Sequence, residues 1–228
     1  LHWDPYHEMA TEMHDTAMPY VMFDENNNFS LNDLKQKAEV LFEKQESVMT
    51  IFNTPAHNPS GYTMTVEDWK GITDFYRDCA KDESKRIIVL WDMAYTDYAG
   101  EADEVREFLK TFDNMPENML LLVAFSMSKS FLVYGMRSGA LIGISTSKAV
   151  VEEFDATNTY SSRATWSNGS RGAQKALAII LADPALKAKT DAERKVFRDM
   201  ITNRAQIFVK EAEEIGLPIL PYQAGFFI

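Results

Sequence analysis

The sequence has one cysteine, no long apolar run and fewer basic than acidic residues. The single cysteine, Cys79, excludes an intrachain disulfide and fits a reducing compartment, so we expect a cytoplasmic protein. No run approaches the roughly 18 apolar residues of a membrane span, so no membrane partner is expected. The formal net charge of −11 argues against nucleic acid or an anionic membrane surface as the main partner.

Metal-ligand spacing and internal repeats are also missing. The histidines at positions 2, 7 and 14 show no ligand spacing with one another or with Cys79, so no metal site is predicted. His57 stands in a loop dense in turn-forming residues, and we expect it to support that turn. Hydrophobic residues make up 46% of the sequence, which is enough for a sizeable core.

Apolar runs of strand length alternate with helical patterns along the chain. The predicted strands are Val48–Phe52, Arg86–Trp91, Met119–Ser126, Ala140–Ile144 and Ile219–Ile228. Such alternation is typical of βαβ units, so we predict an α/β fold with three layers, α/β/α, around a mostly parallel sheet. We predict that residues 1–190 form part of a large cofactor-binding domain. Residues 191–228 would begin a smaller α/β domain.

The helical patterns are bounded by recognisable signals. Thr65 and Asp68 have the spacing of a capping box, which predicts a helix from Thr65 to about residue 80. Residues 101–112 are also predicted helical. A helix begins at Ser147, with a break around residues 158–168, and helices follow at 168–181 and 192–215. Gly216 is expected to end the last of them. Both ends of the chain have the composition of interior segments, so we expect a piece of a larger protein.

The most informative stretch is Met119–Gly139. A buried-strand pattern is followed by Ser126, Ser128 and Lys129, and Arg137 comes eight residues after the lysine. Ligands bind at the carboxyl ends of strands in parallel sheets. A lysine held there is partly withdrawn from water, which favours the neutral amine that attacks carbonyl groups. Ser126 and Arg137 would supply a hydroxyl and a bidentate cation for a phosphate.

Three polar residues follow three successive apolar runs. Asn58 follows the first run, Asp92 the second and Lys129 the third, so we expect all three at one edge of the sheet. A carboxylate at Asp92 is withdrawn from water and needs a cationic partner, which a protonated pyridine nitrogen would provide. Tyr95 and Asn58 offer a phenol and an amide for a ring oxygen. This set describes a site for pyridoxal 5'-phosphate.

These motifs resemble the class I aminotransferases, the fold-type-I, aspartate-aminotransferase-like family of pyridoxal-phosphate enzymes. The resemblance rests on short matches distributed over nearly the whole chain. The matching segments are Ser126-Met127-Ser128-Lys129, Tyr134-Gly135 with Arg137 and Gly139, Asn58-Pro59-Ser60-Gly61, Asp92-x-x-Tyr95 and Trp3-x-x-Tyr6. This chain has Asn58-Pro59-Ser60-Gly61 at the turn where the family has Asn-Pro-Thr-Gly.

The resemblance implies catalytic roles for three residues. Lys129 would be the Schiff-base lysine and would carry the proton between the substrate Cα and the cofactor. Asp92 would keep the pyridine nitrogen protonated. Tyr95 would bond the phenolic oxygen of the ring together with Asn58.

Binding roles are implied for further residues. Ser126, Ser128 and Arg137 would hold the phosphate, and Trp3 would stack on the ring and border the substrate. Arg163 matches the family arginine that reaches into the partner subunit and binds the distal carboxylate of a dicarboxylic substrate. It therefore implies a homodimer with shared active sites. The resemblance also places a Gly-rich phosphate loop upstream of Trp3 and a substrate-binding arginine downstream of Ile228.

The sequence therefore predicts a transaminase. It would move an amino group between an aromatic or acidic amino acid and a 2-oxo acid such as 2-oxoglutarate. Two alternatives stay open on the residues alone. One is a C–S β-lyase of the same fold, which would release pyruvate and ammonia. The other is a cofactor-binding regulatory domain of a transcription factor.

Overall fold

A four-stranded sheet forms the centre of the protein. The structure is a computed structural model that describes residues 1–228. The strands are β1 (Ser47–Asn53), β2 (Arg86–Asp92), β3 (Met119–Ser126) and β4 (Gly139–Ile144). Their order in the sheet is β1-β2-β3-β4; the first three are parallel, and β4 is antiparallel to β3. The predicted α/β class with a mostly parallel sheet is confirmed.

Seven α-helices accompany the sheet. They are α1 (Pro5–Glu12), α2 (Leu31–Phe42), α3 (Val66–Cys79), α4 (Met127–Ser130), α5 (Lys148–Thr165), α6 (Arg171–Ala182) and α7 (Pro184–Glu214). Single 3₁₀ turns lie at Thr96–Tyr98 and Tyr134–Met136, and a longer one at Glu107–Phe112. None of the seven helices combines the length and the hydropathy that a membrane span requires.

The core lies between the β1–β3 part of the sheet and helices α2 and α3. A cluster of 21 buried hydrophobic residues fills it. Trp69 of α3 is 1% exposed and stacks on the ring of Phe108, with 4.4 Å between the ring centroids. Helix α3 begins with the predicted capping box, because Thr65 accepts from the Asp68 amide and Asp68 accepts from the Thr65 amide. The core therefore fixes β1 and β2, whose carboxyl ends carry the site.

Several sequence-based expectations are wrong in detail. Residues 219–228 form no strand, because an extended segment becomes a strand only when a neighbour pairs with it. Helix α5 continues unbroken past Asn158 to Thr165, and only the turn at residues 166–170 separates it from α6. Of residues 101–112, only Glu107–Phe112 is helical, as a 3₁₀ turn. Helix α1 has no counterpart among the helices predicted from the sequence.

Helix α7 is longer than its periodicity predicts. Asp183 caps its first turn by accepting from the amides of Ala185 and Leu186, and Pro184 occupies the first helical position. The helix ends, as predicted, before Gly216, which has a φ of +68°. Residue 190, the predicted domain boundary, lies inside this continuous helix. The division of the chain at that residue stays a prediction.

Candidate active site

The carboxyl ends of the parallel strands bring the predicted residues to one edge of the sheet. The register pairs Asn53 of β1 with Asp92 of β2, and Asp92 with Ala124 of β3. Strand β3 continues two residues further, to Ser126, and leads directly into the short helix α4 with Lys129. Because all three strands run in the same direction, their following residues meet at the same edge.

Asp92 is half-buried, and both of its oxygens accept a hydrogen bond. Oδ1 accepts from the Ala94 amide at 3.0 Å, and Oδ2 accepts from the Tyr6 hydroxyl at 2.5 Å. Burial and the neighbouring Asp92 charge raise the pKa of Tyr6 well above its ordinary value, so the phenol stays protonated and donates. These two donors stabilise the carboxylate form and fix its orientation.

Tyr6 is a site residue that sequence reasoning missed as a donor. Its only signal was the three-residue spacing from Trp3, which lies just before the first residue of α1. The Trp3 indole meets the Tyr6 ring edge-on, at 5.4 Å between centroids, and is 39% exposed. The structure therefore brings Trp3 next to the residue that bonds Asp92, and its role in stacking on the cofactor ring stays a prediction.

Asn58 and Tyr95 form a pair beside Asp92. The Asn58 amide Nδ2 donates to the Tyr95 hydroxyl at 3.3 Å, and the Asn58 backbone amide donates to Asn53 Oδ1 at 2.7 Å. Burial raises the pKa of Tyr95; the hydrogen bond from Asn58 lowers it in part, the Asp92 charge raises it, and the net shift is upward. The tyrosine is thus a neutral phenol with one donor already on its oxygen. It can donate its own proton to a ring oxygen.

Lys129 is half-buried between two tyrosine rings. Its Nζ lies 5.3 Å from the ring centroid of Tyr95 and 5.5 Å from that of Tyr134. The structure therefore places Asn58, Asp92 and Lys129 at one edge of the sheet, as the strand-end argument predicts. Tyr95 contacts both Asn58 and Lys129, and it follows Asp92 by three residues in the sequence. The amine faces aromatic carbon on two sides and forms no ion pair with a carboxylate.

Ser126, Ser128 and Arg137 form a small cluster next to the lysine. The Ser126 hydroxyl caps α4 by accepting from the Ser128 amide at 3.2 Å. Arg137 donates from Nη1 to the Ser128 hydroxyl at 3.3 Å and to the Tyr134 carbonyl at 3.1 Å. The arginine is exposed and has a φ of +47°, which turns the chain back between α4 and β4. One cation and two hydroxyls therefore converge at the start of a helical turn, where an anion is favoured.

The segment of residues 219–228 packs against part of this site, which no pattern in the sequence indicated. The rings of Phe226 and Phe227 pack against Tyr95 at centroid distances of 5.7 and 5.5 Å. The Gly61 carbonyl, in the turn that carries Asn58, accepts from the amide of Ala224 at 3.0 Å. The segment predicted as a strand thus packs on Tyr95 and on the turn that carries Asn58.

Arg163 lies apart from the cluster. It is exposed on the last turn of α5, and its side chain donates to the carbonyl and hydroxyl oxygens of Ser167 at 3.2 and 2.9 Å. The single chain does not bring it to Lys129. Its predicted role in a partner subunit's site stays a prediction.

His57 supports the turn that carries Asn58. It is 4% exposed, and its Nδ1 lies 2.8 Å from the Ser60 hydroxyl. Burial is the main reason why its pKa falls to about 4. A neutral, buried imidazole on a hydroxyl is a structural group, which agrees with the expectation for this residue.

The arrangement fits a cofactor that has a carbonyl, a basic ring nitrogen, a phenolic oxygen and a phosphate. Lys129 provides an amine for the carbonyl, Asp92 a fixed carboxylate for the nitrogen, and Tyr95 a phenol for the oxygen. Arg137 with the two serines provides a phosphate site. The donor set thus matches pyridoxal phosphate group by group.

Comparison with known proteins gives an independent result. A family model described as aminotransferase class I and II matches residues 1–228. Aspartate aminotransferase from Escherichia coli (strain K12) is 28% identical over 197 residues, which cover 86% of this chain and 47% of that protein. The aromatic-amino-acid aminotransferase of Pseudomonas aeruginosa is 26% identical over 156 residues, covering 68% of this chain and 37% of that protein.

Solved structures show the same fold. A crystal structure of an aminotransferase from Anaerococcus prevotii has a TM-score of 0.96 at 35% identity, and the match covers 99% of this chain and 55% of that chain. An aromatic-amino-acid aminotransferase from Burkholderia pseudomallei, solved covalently bound to pyridoxal phosphate, has a TM-score of 0.80 at 21% identity. That match covers 98% of this chain and 55% of that chain, and it shows the fold alone. The chain spans about half the length of the relatives it matches.

Proposed function

The chain belongs to the class I and II aminotransferase family, and from that premise we propose that the whole protein is a pyridoxal-phosphate-dependent transaminase. It moves an amino group between an aromatic or acidic amino acid and a 2-oxo acid such as 2-oxoglutarate. The observation that carries the proposal is the position of Lys129, whose Nζ lies over the Tyr95 ring. Tyr95 in turn follows Asp92 by three residues in the sequence. The names of the aspartate and aromatic aminotransferase relatives support this choice of amino donors.

Pyridoxal phosphate supplies a carbonyl for amine exchange and a ring that accepts electrons. Lys129 is the residue that binds it covalently, and in its free form the Nζ amine takes the proton from the substrate α-carbon. The aromatic surroundings of this amine exclude water from two sides. Tyr95 donates to the phenolic oxygen, and Asn58 holds the Tyr95 hydroxyl in place.

Asp92 binds the protonated ring nitrogen. Its carboxylate already accepts from Tyr6 and from the Ala94 amide, so it is oriented before the cofactor arrives and needs little reorganisation. Ser126, Ser128 and Arg137 bind the phosphate, with the guanidinium as the charged donor.

Trp3 and Arg163 are assigned to the substrate. Trp3 stacks on the pyridine ring of the cofactor and borders the substrate amino acid. Arg163 binds the distal carboxylate of an acidic substrate in the partner subunit of a homodimer. The exposure of Arg163 in the single chain is consistent with a role outside its own site. We place the protein in the cytoplasm, with residues 1–190 as part of the cofactor-binding domain and 191–228 as the start of the smaller one.

The test uses the full-length protein with added pyridoxal phosphate. A visible absorbance band should form in the wild type and be absent in Lys129→Ala, and borohydride should trap the cofactor on Lys129 in mass mapping. Lys148→Ala is the control, since Lys148 is exposed and pairs only with Glu152. A full-length protein without any adduct on Lys129 would overturn the proposal.

Product analysis then identifies the reaction. Exchange coupled to glutamate formation supports the transaminase. Release of pyruvate and ammonia from a sulfur amino acid would instead identify a C–S β-lyase. Binding at Lys129 without turnover of any amino acid would identify a regulatory domain.

A further inference from the structure

The short helix that carries Lys129 is held by hydrogen bonds from side chains in distant parts of the same chain. Helix α4 has only four residues, and the carbonyl groups at the end of a helix lack helical partners. The Lys129 carbonyl accepts from the Tyr98 hydroxyl at 3.0 Å as well as from the Leu132 amide at 3.1 Å. The Ser130 carbonyl accepts from Nε of Arg194 at 2.8 Å. The backbone carbonyls of Lys129 and of the residue after it are therefore held by two distant side chains.

Arg194 comes from α7 and connects three parts of the site. Its guanidinium lies 5.0 Å from the ring centroid of Phe131, two residues after the lysine. Nη1 lies 3.6 Å from Asp97 Oδ1 and 3.3 Å from Asp191 Oδ1. The side chains of Arg194 and Asp97 are 15% and 11% exposed, so these contacts are shielded from solvent more than surface ion pairs are.

Asp97 extends the connection to Tyr98. It directly precedes the tyrosine that bonds the Lys129 carbonyl, and it also pairs with Arg106 Nη2 at 3.1 Å. Removing the Arg194 guanidinium would leave the Ser130 carbonyl without its donor and loosen the turn that positions Tyr98. Both restraints on α4 would then weaken together.

We propose that Arg194 is a positioning residue for Lys129. It fixes α4 against the Thr96–Tyr98 turn and α7, so that the Nζ amine stays where it meets the cofactor carbonyl. This inference rests on the proposed function, because it assigns Arg194 a role in covalent capture of the cofactor, in which the Lys129 amine would condense with the cofactor carbonyl and water would leave. Arg194 itself does not touch the amine.

Arg198 offers a matched control. It lies one turn further along α7, its side chain is also 15% exposed, and it also bonds the region after Tyr98, through the Gly100 carbonyl at 2.5 Å and through Glu101. It makes no hydrogen bond to α4. Arg198→Met and Arg194→Met therefore remove the same chemical group from the same helix, and only Arg194→Met removes the support of the lysine turn.

The experiment measures covalent capture at saturating pyridoxal phosphate. Under saturation the first-order growth of the visible band reports how readily Lys129 reaches the bound carbonyl, independently of the affinity for phosphate. We expect Arg194→Met to slow this step roughly tenfold, because displacement of a reacting group by a fraction of an ångström has effects of this order. Arg198→Met should stay within about twofold of the wild type. Arg194→Lys should fall between them, since one ammonium cannot serve both Ser130 and Asp97.

The outcomes are distinguishable. Equal capture rates for Arg194→Met and Arg198→Met, with equal losses of thermal stability, would show a structural role only and overturn the inference. If Arg194→Met does not fold, Arg194→Lys decides, and a wild-type capture rate in that variant overturns the inference as well. A wild-type protein that forms no adduct on Lys129 would instead refute the proposed function itself.

Discussion

Tyr6→Phe removes one hydroxyl, and we expect it to release helix α1 from the sheet. Helix α1 has eight residues, none of them fully buried, and the Tyr6–Asp92 hydrogen bond is the one side-chain hydrogen bond between this helix and the rest of the structure. A helix of this length is unstable by itself in water. Its place on the structure therefore depends to an unusual degree on a single contact.

The size of the effect follows from the nature of the bond. A hydrogen bond to a charged acceptor contributes about 1.5–3 kcal/mol, and each 1.4 kcal/mol changes an equilibrium tenfold. Little apolar burial is available to compensate, because α1 has no fully buried residue. Opening of α1 should therefore become roughly 10- to 100-fold more frequent in Tyr6→Phe.

Hydrogen exchange followed by mass spectrometry measures this opening locally. The amides of α1 should exchange roughly 10- to 100-fold faster in Tyr6→Phe, while those of β2 keep their wild-type rates. Tyr160→Phe is the control, because Tyr160 is 77% exposed and makes no hydrogen bond through its hydroxyl.

The pH dependence gives a second check on the same contact. The folded structure raises the pKa of Tyr6 above the ordinary value of 10.0, so the bond contributes fully below pH 10 and is lost as the pH rises beyond it. Wild-type protection of α1 should thus persist up to about pH 10. Identical α1 exchange in the wild type and Tyr6→Phe would refute the reasoning.

Three further changes test other parts of the structure. Stability should fall by about 3 kcal/mol as the pH drops from about 6.5 to about 4, because His57 has a folded pKa of about 4 and unfolding lets it take up a proton; His57→Gln should flatten this part of the profile in urea titrations at several pH values. Thr65→Ala removes the cap on the Asp68 amide and should lower the unfolding free energy by about 1 kcal/mol, whereas an unchanged urea midpoint would contradict the importance of this cap. Gly139→Ala would put a Cβ within 2.3 Å of the Phe125 carbonyl oxygen, so thermal unfolding should show a loss of about 1–3 kcal/mol.

The parts of this protein that the sequence predicted depend on local patterns. Apolar runs followed by a polar residue are enough to locate β1 to β3 and to put Asn58, Asp92 and Lys129 at one edge, because parallel strands end on the same side. The capping box of α3 lies within four residues and was predicted for the same reason.

The tertiary structure decided the contacts between distant segments. Tyr6 bonds a carboxylate 86 positions away, and Arg194 bonds a carbonyl 64 positions away, so no spacing in the sequence identifies either pair. The segment 219–228 has the composition of a strand, yet it finds no paired neighbour and packs its phenylalanines on Tyr95 instead. Local sequence thus determined which groups could do the chemistry. Only the packed chain determined which side chains hold those groups in place, because that depends on which surfaces meet when the apolar residues are buried.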